Sequence, residues 1–219
     1  MGLCRCRICF IWCCLQLLKH CLVRGIVFVI SGPAGVGKTT LCDRLLGEFY
    51  PEIKRVVTVT TRQPREGEED GIDYHFMEED EFLEKVEKQL FIEYERVHGN
   101  LYGILKQSIL EMKDSSNKSS LLLNVDVNGA SSLKEFSREN IGLNGIVFSV
   151  FVRPSSIDQL RERLIARGCD DGPEIEKRMQ TAVKEIKMSE RFDYTLQSAS
   201  RSEDYGKLRE YYLRCSRGS

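Results

Sequence analysis

The chain has 219 residues, with 32 Lys+Arg against 33 Asp+Glu and a formal net charge of -1. This length suits one compact domain with a large core, and the near-neutral balance excludes a global basic field for nucleic acid or an anionic membrane, so any anion site must be local. Of nine cysteines, Cys4, Cys6, Cys9, Cys13, Cys14 and Cys21 crowd the front end, leaving Cys42, Cys169 and Cys215 to a body that reads as reduced and cytoplasmic.

The front end has several readings. Arg5 and Arg7 before the apolar residues 8–18 look like the charged and apolar parts of a secretory signal, yet residues 19–24 offer no small-residue cleavage site. The apolar run is also short for a bilayer span. Cys6 and Cys9 form a lone Cys-x-x-Cys with His20 nearby for a metal. An interfacial helix and an over-extended translation start are the other readings. Residues 1–22 are expected to lie outside the fold, with no stable membrane association and a domain over 23–215.

Residues 26–30, Ile-Val-Phe-Val-Ile, predict a buried strand, and residues 40–49 a helix with Leu41, Leu45 and Leu46 on one side. Between them stands Gly32-Pro33-Ala34-Gly35-Val36-Gly37-Lys38-Thr39, the phosphate-binding pattern of two glycines with four residues between them, then lysine and a hydroxyl. Without Cβ atoms, the glycines let the backbone curl and aim N–H groups at an anion. The positive end of the following helix adds to that field. Lys38 is placed for the β- and γ-phosphates of a nucleoside triphosphate and Thr39 for Mg²⁺. Thr40 completes the nucleotide-binding set.

Farther on, the β-branched residues 55–61 predict a strand, and Pro64, Gly67 and Gly71 make residues 62–73 a loop. Short strands are expected at 74–77 and 90–97, with an acidic helix over 79–88 and another helix over 104–112. Residues 114–118 read as a solvated loop. Apolar runs at 121–125 and 146–152 predict strands buried on both faces. Helices follow over 157–166 and 174–191, separated by a turn at 168–173, then a strand at 194–196 and a C-terminal helix. Strands alternating with helices indicate an α/β fold with a parallel sheet covered on both faces.

A second constellation lies in the insert. Arg62 and Arg65 flank Pro64, while Tyr74 and Tyr102 follow Gly71-Ile72-Asp73 and Gly99-Asn100-Leu101. Two guanidinium forks and two phenols suit a phosphate monoester; the plainer reading is that the arginines neutralise Glu66, Glu68, Glu69 and Asp70. Taken whole, the pattern resembles guanylate kinase. The resemblance runs over residues 25–212 and is carried by the loop from Ser31 to Leu41, by Thr60-Thr61-Arg62-Gln63-Pro64-Arg65-Glu66-Gly67-Glu68, by Phe91-Ile92-Glu93-Tyr94 and by Gly99-Asn100-Leu101-Tyr102-Gly103. It implies a P-loop three-layer fold with a core (23–52, 104–158, 179–215), a small mixed α/β GMP-binding insert (53–103) and a helical lid (about 159–178). It also implies Mg²⁺-dependent transfer of the ATP γ-phosphoryl group to GMP, with dGMP as a second acceptor, by a monomer or homodimer.

By that resemblance Arg62, Arg65, Tyr74 and Tyr102 hold the GMP phosphate, Glu93 reads the base, and Thr58 and Asp126 lie on the guanine side. A carboxylate is acceptor-only, so it suits the adjacent N1–H and N2 amino donors of guanine and opposes the N1 lone pair of adenine. Arg163, Arg167 and Arg178 of the lid would face ATP phosphates, with Arg161 solvated; the plainer reading is a charged helix face with pairs such as Glu174–Arg178. Asn124, Asn128, Ile104 and Ser198 depart from the family pattern. Two other functions are weighed: a P-loop kinase of another phosphorylated acceptor, such as a ribose bisphosphate, which leaves Glu93 without a purpose, and a non-catalytic guanylate kinase-like binding domain, against which the intact Lys38–Thr39 argues.

Overall fold

The computed structural model describes residues 25–97, 99–114, 119–166 and 172–217. The expectations for residues 1–22, for the loop at 115–118, for Arg167 and for residues 168–171 of the turn therefore lie outside the described residues. Close to the start of the described residues, β1 (Val27–Ser31) is buried along its whole length. Its side chains alternate: Phe28 and Ile30 enter one core cluster, Val27 and Val29 the other. A strand buried on both faces needs cover on both faces, which gives three layers.

The strands β2 (Ile53–Arg55), β7 (Ser120–Asn124), β8 (Val147–Arg153) and β9 (Tyr194–Gln197) join β1 in a parallel sheet of order β2-β7-β1-β8-β9. On one face α1 (Lys38–Phe49) and α7 (Arg201–Arg217) contribute Leu41, Leu45, Leu208 and Tyr212, joined by Leu160, Leu164 and Met179 of α5 (Ile157–Ala166) and α6 (Gly172–Lys187). On the other face lie Ile109 of α3 (Lys106–Asp114) and Ala130 and Leu133 of α4 (Val127–Glu139). Among the described residues, no helix is long and apolar enough to cross a membrane.

The insert is a second, mixed sheet of order β4-β3-β6-β5, built from β3 (Thr58–Thr60), β4 (Tyr74–Phe76), β5 (Phe91–Val97) and β6 (Asn100–Leu105). Helix α2 (Glu79–Glu87) caps it with Phe82, whose ring stacks on Phe91 at 4.4 Å beside Val59 and Leu101.

The α/β class, the parallel core sheet, the mixed insert and the helices after β8 all appear as expected. Three details differ. The single strand expected over 55–61 is two: residues 53–55 pair with β7 in the core sheet, the chain leaves that sheet at Val56, and β3 joins the insert sheet. The core sheet thus takes residues 53–55, which the sequence reading gave to the insert. Ile104, expected to open a helix, is instead in β6, where antiparallel partners on both sides fix residues 100–105 as strand. Helix α4 was not anticipated: Gly and Ser fill its first turns, but Asp126 caps it, accepting from the Gly129 N–H at 2.7 Å.

Candidate active site

The chain crosses from β1 to β2 on one side of the sheet and later fills β8 on the other, so the switch point lies at the C-terminal end of β1. Open α/β sheets place ligands there. Gly32 leaves β1 with φ +139, and a Cβ at that position would stand 2.5 Å from the Val152 carbonyl oxygen of the neighbouring strand. Only glycine lets the turn lie this close to β8. The loop closes on itself, Val36 N–H donating to Pro33 O at 3.3 Å, and Gly37 is the left-handed N-cap of α1. Lys38 Nζ donates to the Gly32 and Pro33 carbonyls, 3.0 Å in the second case, so the ammonium lies across the mouth of the loop.

Thr39 is exposed at the start of α1, with the Asn124 amide 3.5 Å from its hydroxyl. Mg²⁺ takes oxygen ligands and keeps several waters, so one hydroxyl with an open approach fits it, and no dense cage is required. Asn124 therefore adds a neutral amide beside Thr39.

Next to the loop is a cavity of about 300 Å³ lined by Gly35, Val36, Gly37, Thr40, Leu41, Arg44, Arg163, Arg201 and Asp204. Arg163 donates to Val36 O at 3.2 Å, which ties α5 to the loop. Arg178 pairs with Glu174 one turn earlier on α6, at 3.5 Å, and Arg161 pairs with Glu176 at 2.8 Å. The intrahelical pair weighed from the sequence is thus present, and Arg161, expected to be solvated, keeps a side chain 43% exposed within its ion pair. Arg44 was missed, though it follows Thr40 by one helical turn on the same face; its guanidinium lies 4.0 Å from the Tyr205 ring. Ser198, a departure from the family pattern, is buried and donates to Asp204 at 2.8 Å, while the Ala199 N–H donates to the same carboxylate at 2.7 Å. Ser198 thus orients an acid that lines this cavity.

A second cavity, of about 250 Å³, opens over the insert sheet and reaches the end of β7. It brings together Thr58, Tyr74, Glu93, Tyr102 and Asp126, all of them sequence-predicted, with Glu95, Ile104 and Asn124. Arg62 stands against it, its guanidinium 5.5 Å from the Tyr74 ring and 5.9 Å from Phe76. Arg62 also pairs with Glu68 at 2.9 Å, and the Arg65 N–H donates to the same carboxylate at 2.8 Å. The neutralising pair weighed from the sequence therefore exists, but it holds Arg62 beside the two phenols rather than in solvent. Arg65 itself is exposed.

Opposite this cationic end, Glu93, Glu95 and Asp126 offer carboxylate oxygens all within 4.8 Å of one another. Burial pushes the Glu93 carboxyl up to about 7, and the charges of Asp126 and Glu95 add to the shift. Burial also raises the pKa of Glu185 on α6, with the charge of Lys38 opposing the shift and that of Asp126 adding to it. Asn124, which lines the second cavity, reaches Thr39 of the loop at 3.5 Å.

A family sequence model described as Guanylate kinase matches residues 24–214. The chain belongs to the guanylate kinase family. A guanylate kinase of Nitratidesulfovibrio vulgaris is 39% identical over 189 residues, 86% of each chain. That of Clostridioides difficile is 39% identical over 171 residues, 78% of each chain. The crystal structure of guanylate kinase from Anaplasma phagocytophilum superposes with a TM-score of 0.65 at 28% identity, covering 89% of this chain and 90% of that one. Membership in the guanylate kinase family rests on nearly the whole described body, insert included. Glu95, Arg44, Arg201 and Asp204 are charged cavity-lining residues that motif reading alone did not find.

Proposed function

We propose that this chain transfers the γ-phosphoryl group of ATP to the phosphate of GMP, giving ADP and GDP. The observation that carries this reading is the polarity of the insert cavity, with Arg62, Tyr74 and Tyr102 at one end and the Glu93–Asp126 carboxylates at the other. A phosphate fits the first end. A base edge with adjacent donors fits the second, and guanine has that edge while adenine, cytosine and uracil do not.

ATP would lie with its phosphates over the loop of residues 32–39 and its base toward the Arg44–Asp204 cavity. Thr39, with water, would hold Mg²⁺, which would supply neutralisation of the β- and γ-phosphate charge. Lys38 leaves its carbonyl contacts for phosphate oxygens, and Arg163, already on Val36 O, adds positive charge on the lid side, as Arg167 and Arg178 would. Arg62 and Arg65 aim an acceptor oxygen at the γ-phosphorus. That oxygen is already anionic, so no protein nucleophile is needed, and the chain contributes positioning and electrostatics. Exclusion of water keeps ATP hydrolysis from competing.

The test is ADP release with ATP and, in turn, GMP, dGMP, AMP, CMP and UMP. Turnover with the guanine nucleotides, and little ADP release without an acceptor, is the expected outcome. Equal turnover of AMP, or fast acceptor-independent hydrolysis, would overturn the reading. Turnover of a sugar bisphosphate with GMP inert would favour the other kinase class.

A further inference from the structure

The acceptor cavity contains one carboxylate to which base recognition gives no partner. Strand pairing lays the cavity floor in two rows. Tyr74, Thr58, Ile104 and Glu93 make one, through the pairs Thr58↔Tyr74 and Glu93↔Ile104 and the β3–β6 register that sets Val59 against Gly103. Phe76, Thr60, Tyr102 and Glu95 make the next, through Thr60↔Phe76, Thr60↔Tyr102 and Glu95↔Tyr102. Residues two apart on a strand share a face, so Glu95 lies beside Glu93 on the cavity side, next to a phenol of the phosphate end. Its carboxylate oxygen lies within 4.8 Å of those of Glu93 and Asp126.

Carboxylates this close repel one another, and a hydrogen-bond donor placed beside them relieves that repulsion. Guanine does not supply one for Glu95. Its N1–H and one amino hydrogen are taken by Glu93 and the second amino hydrogen by Asp126, which exhausts the donors of that edge. In a nucleotide held by its base on the first row and by its phosphate at Arg62, Tyr74 and Tyr102, the sugar lies between, alongside Glu95. Resting on the guanine reading above, we propose that Glu95 accepts a hydrogen bond from the ribose 2′-hydroxyl and makes GMP a better acceptor than dGMP. Acidic side chains read ribose hydroxyls in the same way in dinucleotide sites. The ribose hydroxyl supplies the donor that relieves the repulsion at Glu95; the deoxy sugar has none at that position.

The experiment is kcat/KM for GMP and for dGMP at one ATP concentration, in the unmodified chain, Glu95→Ala and Glu95→Gln. The unmodified chain should favour GMP by about tenfold or more, the scale of a hydrogen bond to a charged group. Glu95→Ala should bring the ratio to about one through KM for GMP, and Glu95→Gln, whose amide oxygen still accepts, should keep part of it. ATP titration without acceptor reports whether each variant is folded; if Glu95→Ala fails it, Glu95→Gln is scored alone and must lower the ratio. A ratio near one in the unmodified chain, or a ratio that the variants leave intact, overturns this inference and leaves guanine recognition standing. Lack of turnover with both guanine nucleotides overturns guanine recognition itself.

Discussion

In residues 32–39 the groups that face a triphosphate are backbone N–H groups and one ammonium, packed so closely that a single added Cβ would meet the Val152 carbonyl. In the acceptor cavity the facing groups are side chains from β3, β4, β5, β6 and the cap of α4, gathered over residues 58–126. The first region is a fixed field of partial charges that does not titrate. The second carries three adjacent carboxylates, at least one of them displaced into the physiological pH range. Backbone suits a ligand part common to all nucleotides, while side chains suit the part that must be discriminated.

The sharpest break between the two regions is Lys38→Ala. Loss of the ammonium should lower kcat by about 10³-fold, the upper range for one preorganised electrostatic donor. GMP affinity measured without ATP should stay within about twofold. A parallel loss of GMP affinity in titrations would mean that the half-sites are not separable.

Glu93→Gln works from the other side. It replaces one acceptor oxygen by a donor that faces the guanine donors, so kcat/KM for GMP should fall about 10- to 100-fold. ATP binding without acceptor should hold, and AMP should lose part of its relative disadvantage. GMP turnover that is unchanged while AMP stays excluded would remove Glu93 as the base reader.

Two glycines test rigidity against adaptability. Gly32→Ala puts a methyl 2.5 Å from backbone at φ +139, where nothing flexible can move aside. It should cost about 2 kcal/mol or more, seen as a Tm lower by several degrees. Gly129→Ala meets Glu93 Oε2 at 2.6 Å, the free end of a side chain, with the next atoms at 3.3 Å. It should fold, displace that carboxylate and weaken GMP by about tenfold or less. Equal losses of Tm in the two variants would erase the contrast.

The smallest expected effect is on stability. The Glu93 carboxyl rises on folding from 4.5 to about 7, so it favours the folded state at low pH. That contribution is complete below the unfolded value and is lost as pH rises through about 7. Glu93→Gln removes the repulsion and should raise Tm at about pH 8 while changing it little at about pH 5, where the carboxyl is already largely neutral. Calorimetric scans of both proteins in both buffers check this; a Tm gain that is the same in the two buffers would exclude charge as its cause.

The same contrast explains what the sequence made legible. The phosphate loop is one consecutive run between a strand and a helix, so the local pattern names its residues. The acceptor residues needed a family resemblance, because their proximity comes from strand pairing far along the chain. Residues 100–105 look helical at their end, and only partners on both sides make them strand. Helix α4 hides behind glycine and serine, although Asp126 followed by Val127, Ala130 and Leu133 at three-residue steps was a signal. Glu95 was readable as the residue two beyond Glu93 on a strand, but its nearness to Asp126 is a tertiary fact.

The measurement closest to the central claim is GMP affinity of the unmodified chain and of Glu93→Gln from about pH 5.5 to about pH 8.5, with ATP affinity in the same buffers. Taking the ratio of the two proteins cancels the titration of the nucleotide's own phosphate. The advantage of the unmodified chain for GMP should grow as pH rises through about 7, as Glu93 ionises, and then level off, while the ratio for ATP stays flat. A GMP ratio independent of pH, or an ATP ratio that follows it, would contradict an acceptor site read by ionised carboxylate beside a donor site built of backbone.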